Sequence, residues 1–185
     1  MSIPNCLTWL RIILIPIFIL LFYLPWPWAR LTTATIFALA AITDWLDGYL
    51  ARTLDQTSRL GAFLDPVADK LIVVASLILL VGENYYPYLA IPATVIVGRE
   101  IVISALREWM AEIGKRASVA VSVLGKIKTI LQMVAIAGLL IGRPATHPYF
   151  PHLGDLAYVL LYVAVLMTLW SMFVYLKAAW VELRA

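Results

Sequence analysis

The sequence predicts an all-α fold: a polytopic membrane protein of six transmembrane helices with both termini cytoplasmic. Three observations predict it. Of the 185 residues, 63% are hydrophobic and only 14% charged, where soluble domains carry roughly 25% charged residues. The mean hydropathy of +0.92 is that of a chain dissolved in lipid. The apolar residues also fall into six stretches, separated by short segments rich in proline, aromatics or charge.

The elements follow in order. Residues 1–10 are mildly amphipathic and are expected to lie on the membrane surface as a short interfacial segment before a first span at about 12–24. Pro25, Trp26, Pro27 and Trp28 close that span with helix breakers and interfacial indoles. A second span, about 31–50, carries Asp44 and Asp47 near its end, with Arg52 just beyond. Residues 53–60 read as a polar loop in which Asp55 is solvated. The third span, about 61–81, is expected to start close to Pro66, because proline is tolerated in a first helical turn. Residues 83–88, with Tyr85, Tyr86 and Tyr88, form an interfacial turn.

The fourth span, about 89–110, is interrupted by Arg99, Glu100, Arg107 and Glu108. A basic connection precedes the fifth span at about 119–141. The proline-rich stretch 143–154 is a loop, where His147 and His152 read as ordinary loop residues and Asp155, just after it, as solvated. A sixth span, about 156–176, leads into a short tail. No linker or repeat divides the chain, so residues 1–185 read as a single domain.

Six spans put both termini on one side. Of the 14 lysines and arginines, only Arg30 and Arg143 then fall on the opposite side. This asymmetry places the termini and the Asp44–Asp69 stretch in the cytoplasm. The start lacks the basic run and small-residue cleavage site of a signal peptide, so the first span is expected to stay. The lone cysteine, Cys6, excludes an internal disulfide. A net charge of +3 gives no reason to invoke nucleic acid.

The chemistry concentrates between residues 44 and 69. Asp44 and Asp47 are three apart at the end of one helix; Asp65 and Asp69 are four apart at the start of the next. Each pair shares a helix face, and a short loop makes the helices antiparallel neighbours. An acid at mid-membrane costs roughly 2.5–3.5 kcal/mol on insertion scales and less near the interface, so four together call for a compensating partner. Hard oxygen donors in this number suit Mg²⁺ or Mn²⁺ and not zinc. Four carboxylates are enough for two ions roughly 3.5–4 Å apart, the arrangement used in displacement at phosphorus. Gly48 and Gly61 allow close approach of a ligand or a helix, and Arg52 suits a phosphate. One or two acids at helix ends would read as mere solvation; four at helical spacing do not.

The pattern Asp44-x2-Asp47-Gly48-x2-Ala51-Arg52-x8-Gly61-x3-Asp65-x3-Asp69 resembles, position for position, the signature of the CDP-alcohol phosphotransferases. The resemblance implies a six-helix membrane enzyme, commonly a homodimer, that moves a phosphatidyl or similar group from a CDP-linked donor to an alcohol and releases CMP. It implies that Asp44, Asp47 and Asp65 bind metal and that Asp69 both binds metal and acts as general base. It also implies that Gly48, Ala51, Arg52 and Gly61 line the CDP site.

For the acceptor, Glu100, Ser104 and Arg107 form one stripe on the fourth helix, at i, i+4 and i+7. Lys126, Lys128, Thr129 and Gln132 occupy the cytoplasmic half of the fifth. Basic groups this deep in a span face a polar cavity, and together they suit a second phosphate belonging to the acceptor. Snorkelling to the interface accounts for Lys115, Arg116 and Lys177 better than for Arg99 and Arg107.

The opening Pro4-Asn5-x-Leu7-Thr8-x-Leu10-Arg11, the stretches Gly98-Arg99-Glu100 and Ile103–Glu108, and Gly125-Lys126-x-Lys128-Thr129-x2-Gln132 are similar to the branch of the family that makes phosphatidylglycerophosphate in the bacterial inner membrane. That similarity runs over almost the whole chain and implies CDP-diacylglycerol and sn-glycerol 3-phosphate as substrates. On it, Asn5 and Thr8 join the CDP-binding set, while Arg99, Arg107, Lys126, Lys128 and Arg116 hold the acceptor phosphate.

Three other readings fit less well. A sister enzyme using serine or an inositol phosphate would share the signature. A divalent-cation transporter needs polar groups crossing to the far side, and all the clustered acids lie at one. A membrane prenyltransferase also uses paired aspartates, but not this glycine and arginine spacing.

Overall fold

The computed structural model describes residues 3–53, 59–114, 123–142 and 152–183. Among them the fold is six α-helices and no strand: α1 (Ile3–Tyr23), α2 (Ala29–Thr53), α3 (Arg59–Gly82), α4 (Ala90–Glu112), α5 (Val123–Ile141) and α6 (Leu153–Leu183). The order and number of helices follow the apolar stretches of the sequence.

Three boundaries differ from expectation. Residues 3–10 are not a separate surface segment but the first turns of α1. Helix α3 begins at Arg59, so Pro66 lies two turns inside it and not at its start. A proline there removes one i→i−4 hydrogen bond, and packing of α3 on α1, α2, α4 and α5 keeps the helix continuous. Helix α6 continues to Leu183, well past the apolar window.

Only α6, over Leu153–Lys177, is long and apolar enough among the described residues to cross a membrane unaided; Thr8–Tyr23, Ala29–Thr43 and Ile127–Ile141 are shorter apolar helices. In α3 and α4 charge breaks the apolar run. Asp69 and Lys70 interrupt α3, while Arg99, Glu100, Arg107 and Glu108 interrupt α4. All six helices nevertheless expose large apolar side chains outward, including Leu20, Ile42, Ile78, Ile101, Ile130 and Phe173. So much exposed apolar surface suits a lipid environment.

The core is a layer of Phe18, Phe37, Leu77, Ile136, Leu140 and Leu161, all essentially inaccessible. Two hydroxyls inside the bundle bond back to their own helices, Thr33 to the Ala29 carbonyl and Ser76 to that of Ile72, which offsets their desolvation cost, whereas those of Thr168 and Ser171 have no hydrogen-bond partner among the described residues.

Helices α5 and α6 pack most extensively, along a seam of small residues. A Cβ on Gly138 would come within 2.6 Å of the Ala157 Cβ, and one on Gly154 would collide with the Gly142 carbonyl and the Tyr86 hydroxyl. Close backbone approach is how helices associate in lipid, where apolar surface gains nothing by leaving the solvent. Tyr86 donates a 2.9 Å hydrogen bond to the Gly142 carbonyl and stacks on Tyr158 at 5.4 Å. Burial, with help from Asp155 and Tyr85 and against Arg30, pushes the Tyr86 phenol up to about 12. Beside this clasp, Arg30 pairs with Glu83 and caps the Phe22 ring at 4.4 Å. The expected cost of Gly154→Val, which overpacks the seam, is about 1–3 kcal/mol. Denaturation in detergent measures it, and an unchanged midpoint would mean that the crossing is loose.

Candidate active site

The end of the bundle opposite the tyrosine clasp is polar. Helix α2 carries Asp44 and Asp47 on its last three turns, and α3 carries Asp65 and Asp69 on its first three. The two helices pack on one another, so the backbone brings the four positions to one end. The side chains of Asp44, Asp47, Gly48, Ala51, Arg52, Gly61 and Asp65 lie outside the described residues, as do those of Asn5 and Lys126. Arg116 lies outside them altogether. Oxygen donors on adjoining helix ends fit a hard divalent ion.

Asp69 is described. Its Oδ1 accepts a 2.5 Å charge-assisted hydrogen bond from Arg11 Nη1; the Arg11 side chain is 1% exposed and that of Asp69 33%. Arg11 was legible as a basic residue on the cytoplasmic side and as the end of the opening motif, with no partner assigned; in the structure it joins α1 to the acidic end of α3. Thr8, one turn earlier on the same face, is also buried. Arg11→Met is expected to lower stability by about 2 kcal/mol, less than the ~3–5 kcal/mol of a fully buried pair because Asp69 is partly solvated. Adding Asp69→Asn should restore part of the loss. A full loss persisting in the double variant would mean that Arg11 acts through packing alone.

A cavity of about 420 Å³ opens beside Asp69, within the range of small-molecule sites. It exists because the backbones of α4 and α5, among the described residues, make no close approach; α4 leans instead on α3 and α6. Helix α3 contributes Asp69 and Lys70 to its wall, α4 contributes Arg99, Glu100 and Arg107, and α5 contributes Lys128, Thr129 and Gln132. Tyr175 of α6 closes it, packed with Ile103 and Met110.

The cations differ in how they are held. Arg99, 8% exposed, pairs with its neighbour Glu100, while its Nε has no partner among the described residues. Lys70 donates to the Ser104 hydroxyl. Arg107 is exposed at the rim. Lys128 is 3% exposed, and among the described residues nothing accepts a hydrogen bond from it; the buried Gln132, one turn further on, is likewise without a hydrogen-bond partner. Glu100 acts on the Lys128 ammonium but is opposed by Arg99 and Arg107, and a buried charge so placed is costly unless the cavity is built to receive an anion.

The structure therefore brings Asp69, Arg99, Arg107 and Lys128 to the wall of one cavity, together with Lys70 and Tyr175. In the sequence Lys70 counts only among the cytoplasmic-side cations and Tyr175 does not stand out; no local spacing marks either. Toward the clasp the interior closes into apolar side chains, among them Leu77, Leu80, Leu139 and Leu140, so the described residues show no polar path of the kind a cation transporter needs.

A model of the CDP-alcohol phosphatidyltransferase family matches residues 1–170. The chain is 55% identical over 185 residues to the CDP-diacylglycerol–glycerol-3-phosphate 3-phosphatidyltransferase of Yersinia pestis (strain Pestoides F), covering 99% of this chain and 97% of that one. It is 54% identical to the Pseudomonas fluorescens protein of the same name, covering 100% and 93%. With that of Sodalis glossinidius (strain morsitans) it shares 52% over 179 residues, covering 97% and 95%. The matched span contains all four aspartates and every cation on the cavity wall, and the likeness runs nearly end to end in each relative: the chain is an enzyme of the CDP-alcohol phosphatidyltransferase family.

Proposed function

We propose that the chain transfers the phosphatidyl group of CDP-diacylglycerol to the 1-hydroxyl of sn-glycerol 3-phosphate, giving phosphatidylglycerophosphate and CMP. The observation that carries the choice of acceptor is Lys128, buried in the cavity that holds Asp69, where Lys70, Arg99, Arg107 and Lys128 face only the carboxylates Asp69 and Glu100 among the described lining residues. A phosphate on the acceptor balances the excess positive charge. The names of the relatives support the same pair of substrates.

The residues divide the work. Lys128, Arg99 and Arg107, with Lys126 and Arg116, hold the acceptor phosphate by charge-assisted hydrogen bonds, and Gln132 and Thr129 offer partners to its glycerol hydroxyls. Asp69 takes the proton from the 1-hydroxyl. That oxygen forms a bond to the lipid-side phosphorus as the bond from phosphorus to the CMP oxygen breaks, and CMP leaves with the electron pair. Arg11 holds the Asp69 carboxylate in place. Gly48, Ala51, Arg52 and Gly61, with Asn5 and Thr8, receive the CDP group.

Asp44, Asp47, Asp65 and Asp69 would hold Mg²⁺ or Mn²⁺, in all two ions, whose chemistry is to offset charge on the diphosphate and the departing CMP. We place the six helices across the bacterial inner membrane, with termini and cavity facing the cytoplasm, and take the working form to be a homodimer.

The test is an assay of the purified full chain in detergent with CDP-diacylglycerol, Mg²⁺ and a panel of labelled alcohols. Label passing from glycerol 3-phosphate into lipid, with equal CMP release and loss on chelation, is the expected result. Transfer only from serine or an inositol phosphate would overturn the acceptor while leaving the family untouched.

A further inference from the structure

The hydroxyls of Thr33, Thr35, Thr43, Ser76, Thr94 and Thr129 each donate to the carbonyl four residues earlier, the partner a helix offers its own serines and threonines. Two buried hydroxyls on α6 do not use it. Thr168, 1% exposed, and Ser171, 5%, have no hydrogen-bond partner among the described residues. One cationic donor on α4 stands in the same condition. Nη1 of Arg99 pairs with Glu100, but its Nε is sealed from solvent with no partner among the described residues.

Helix register puts these groups at one level. Helices α4 and α6 pack on one another. At one end Tyr158 and Tyr162 donate to the carbonyls of Pro87 and Tyr88; at the other Tyr175 meets Ile103 and Met110. The two helices therefore run in the same direction, and from either contact Arg99 comes level with the turn of α6 that holds Thr168 and Ser171. The faces agree as well. Arg99 shares a buried stripe with Ile103 and Met110, the residues that meet α6, and Thr168 and Ser171 share one with Tyr175, at i, i+3 and i+7.

We infer that Thr168 and Ser171 are positioning residues for the acceptor site: through one bound water their hydroxyls accept the Nε–H of Arg99 and fix the plane of its guanidinium. The inference rests on the reaction proposed above. A buried water makes about three hydrogen bonds, and Arg99 Nε with the two hydroxyls offers that number. Glu100 holds Nη1 and the water holds Nε, which leaves Nη2 to meet the acceptor phosphate at the cavity wall where Arg99 lies. Neither hydroxyl belongs to a residue lining that cavity, so both act through Arg99 and not on substrate.

The test is a cycle of variants in the full chain, using the transfer assay described above. Thr168→Val with Ser171→Ala is expected to raise KM for glycerol 3-phosphate roughly tenfold, the scale of one hydrogen bond to a charged group, with kcat and KM for CDP-diacylglycerol within about twofold. Thr168→Ser, which keeps the hydroxyl, should keep the KM. In an Arg99→Lys background, which lacks the Nε donor, the same pair of substitutions should change KM by less than about twofold. A second readout needs no turnover: the ¹⁵N resonance of Arg99 Nε, identified by its loss in Arg99→Lys, should broaden when the two hydroxyls are removed.

An unchanged KM and an unchanged Nε resonance in the hydroxyl-free protein would overturn the inference. So would a rise in KM that persists in the Arg99→Lys background, which would assign the hydroxyls to another partner. Equal rises in both Michaelis constants with a lowered melting midpoint would make their role structural and overturn it too. A folded wild-type protein that transfers no label from glycerol 3-phosphate, with the Nε resonance responding as expected, would instead overturn the reaction and leave the contact standing.

Discussion

Asp69→Asn is expected to abolish turnover, by about 10²–10⁴-fold as for other general bases, while the protein still binds CDP-diacylglycerol. The substitution isolates the proton transfer better than most. The amide has the size of the carboxylate, and its Oδ1 still accepts from Arg11, so the link between α1 and α3 survives. Two properties disappear: the capacity to take a proton from the attacking hydroxyl, and one negative charge toward the metals. Measuring kcat at saturating Mg²⁺ alongside donor binding by calorimetry separates them from a folding defect. Near-normal kcat would show that another group is the base.

The second large effect is expected at Lys128. Lys128→Met should raise the KM for glycerol 3-phosphate by roughly 10–100-fold, since a hydrogen bond to a charged group contributes about 1.5–3 kcal/mol, with the KM for CDP-diacylglycerol nearly unchanged. The same variant should be as stable as the wild type or more so. Methionine fills similar space, and the substitution removes a buried charge that Arg99 and Arg107 oppose and from which no described residue accepts a hydrogen bond. A gain in stability with a loss of acceptor affinity is the signature of a group kept for function. Equal changes in both Michaelis constants would count against a role in acceptor binding.

The reach of the sequence was set by what a lipid solvent makes expensive. Asp69, Arg99, Arg107 and Lys128 were legible as candidate site residues because each sits inside or beside an otherwise apolar run, where a charge is costly. Lys70 and Arg11 carry the same charges but stand where a basic residue also serves topology, so sequence could count them and not place them. Tyr175 was hidden for a different reason: its role depends on α6 meeting α4 far from both in the chain, and aromatic side chains on such a helix are ordinary. The helix count was readable from apolar stretches, whereas the start of α3 was not. The rule that keeps proline in a first turn describes an isolated helix, and α3 is held by four neighbours.

The crossing of α5 and α6 at Gly142 and Gly154 has a bearing on the shape of the cavity. Helix α6 is the beam that joins the two ends of the molecule: locked against α5 at the glycines, it carries Tyr175 to the cavity wall and braces α4 there. From Gly154 to Tyr175 is 21 residues, about 31 Å, so a change of about 5° in the angle of crossing swings the Tyr175 end by about 3 Å. That is the width of one hydroxyl. The wall of the cavity beside Asp69 is thus geared to the bulk of two residues at the opposite end of the bundle.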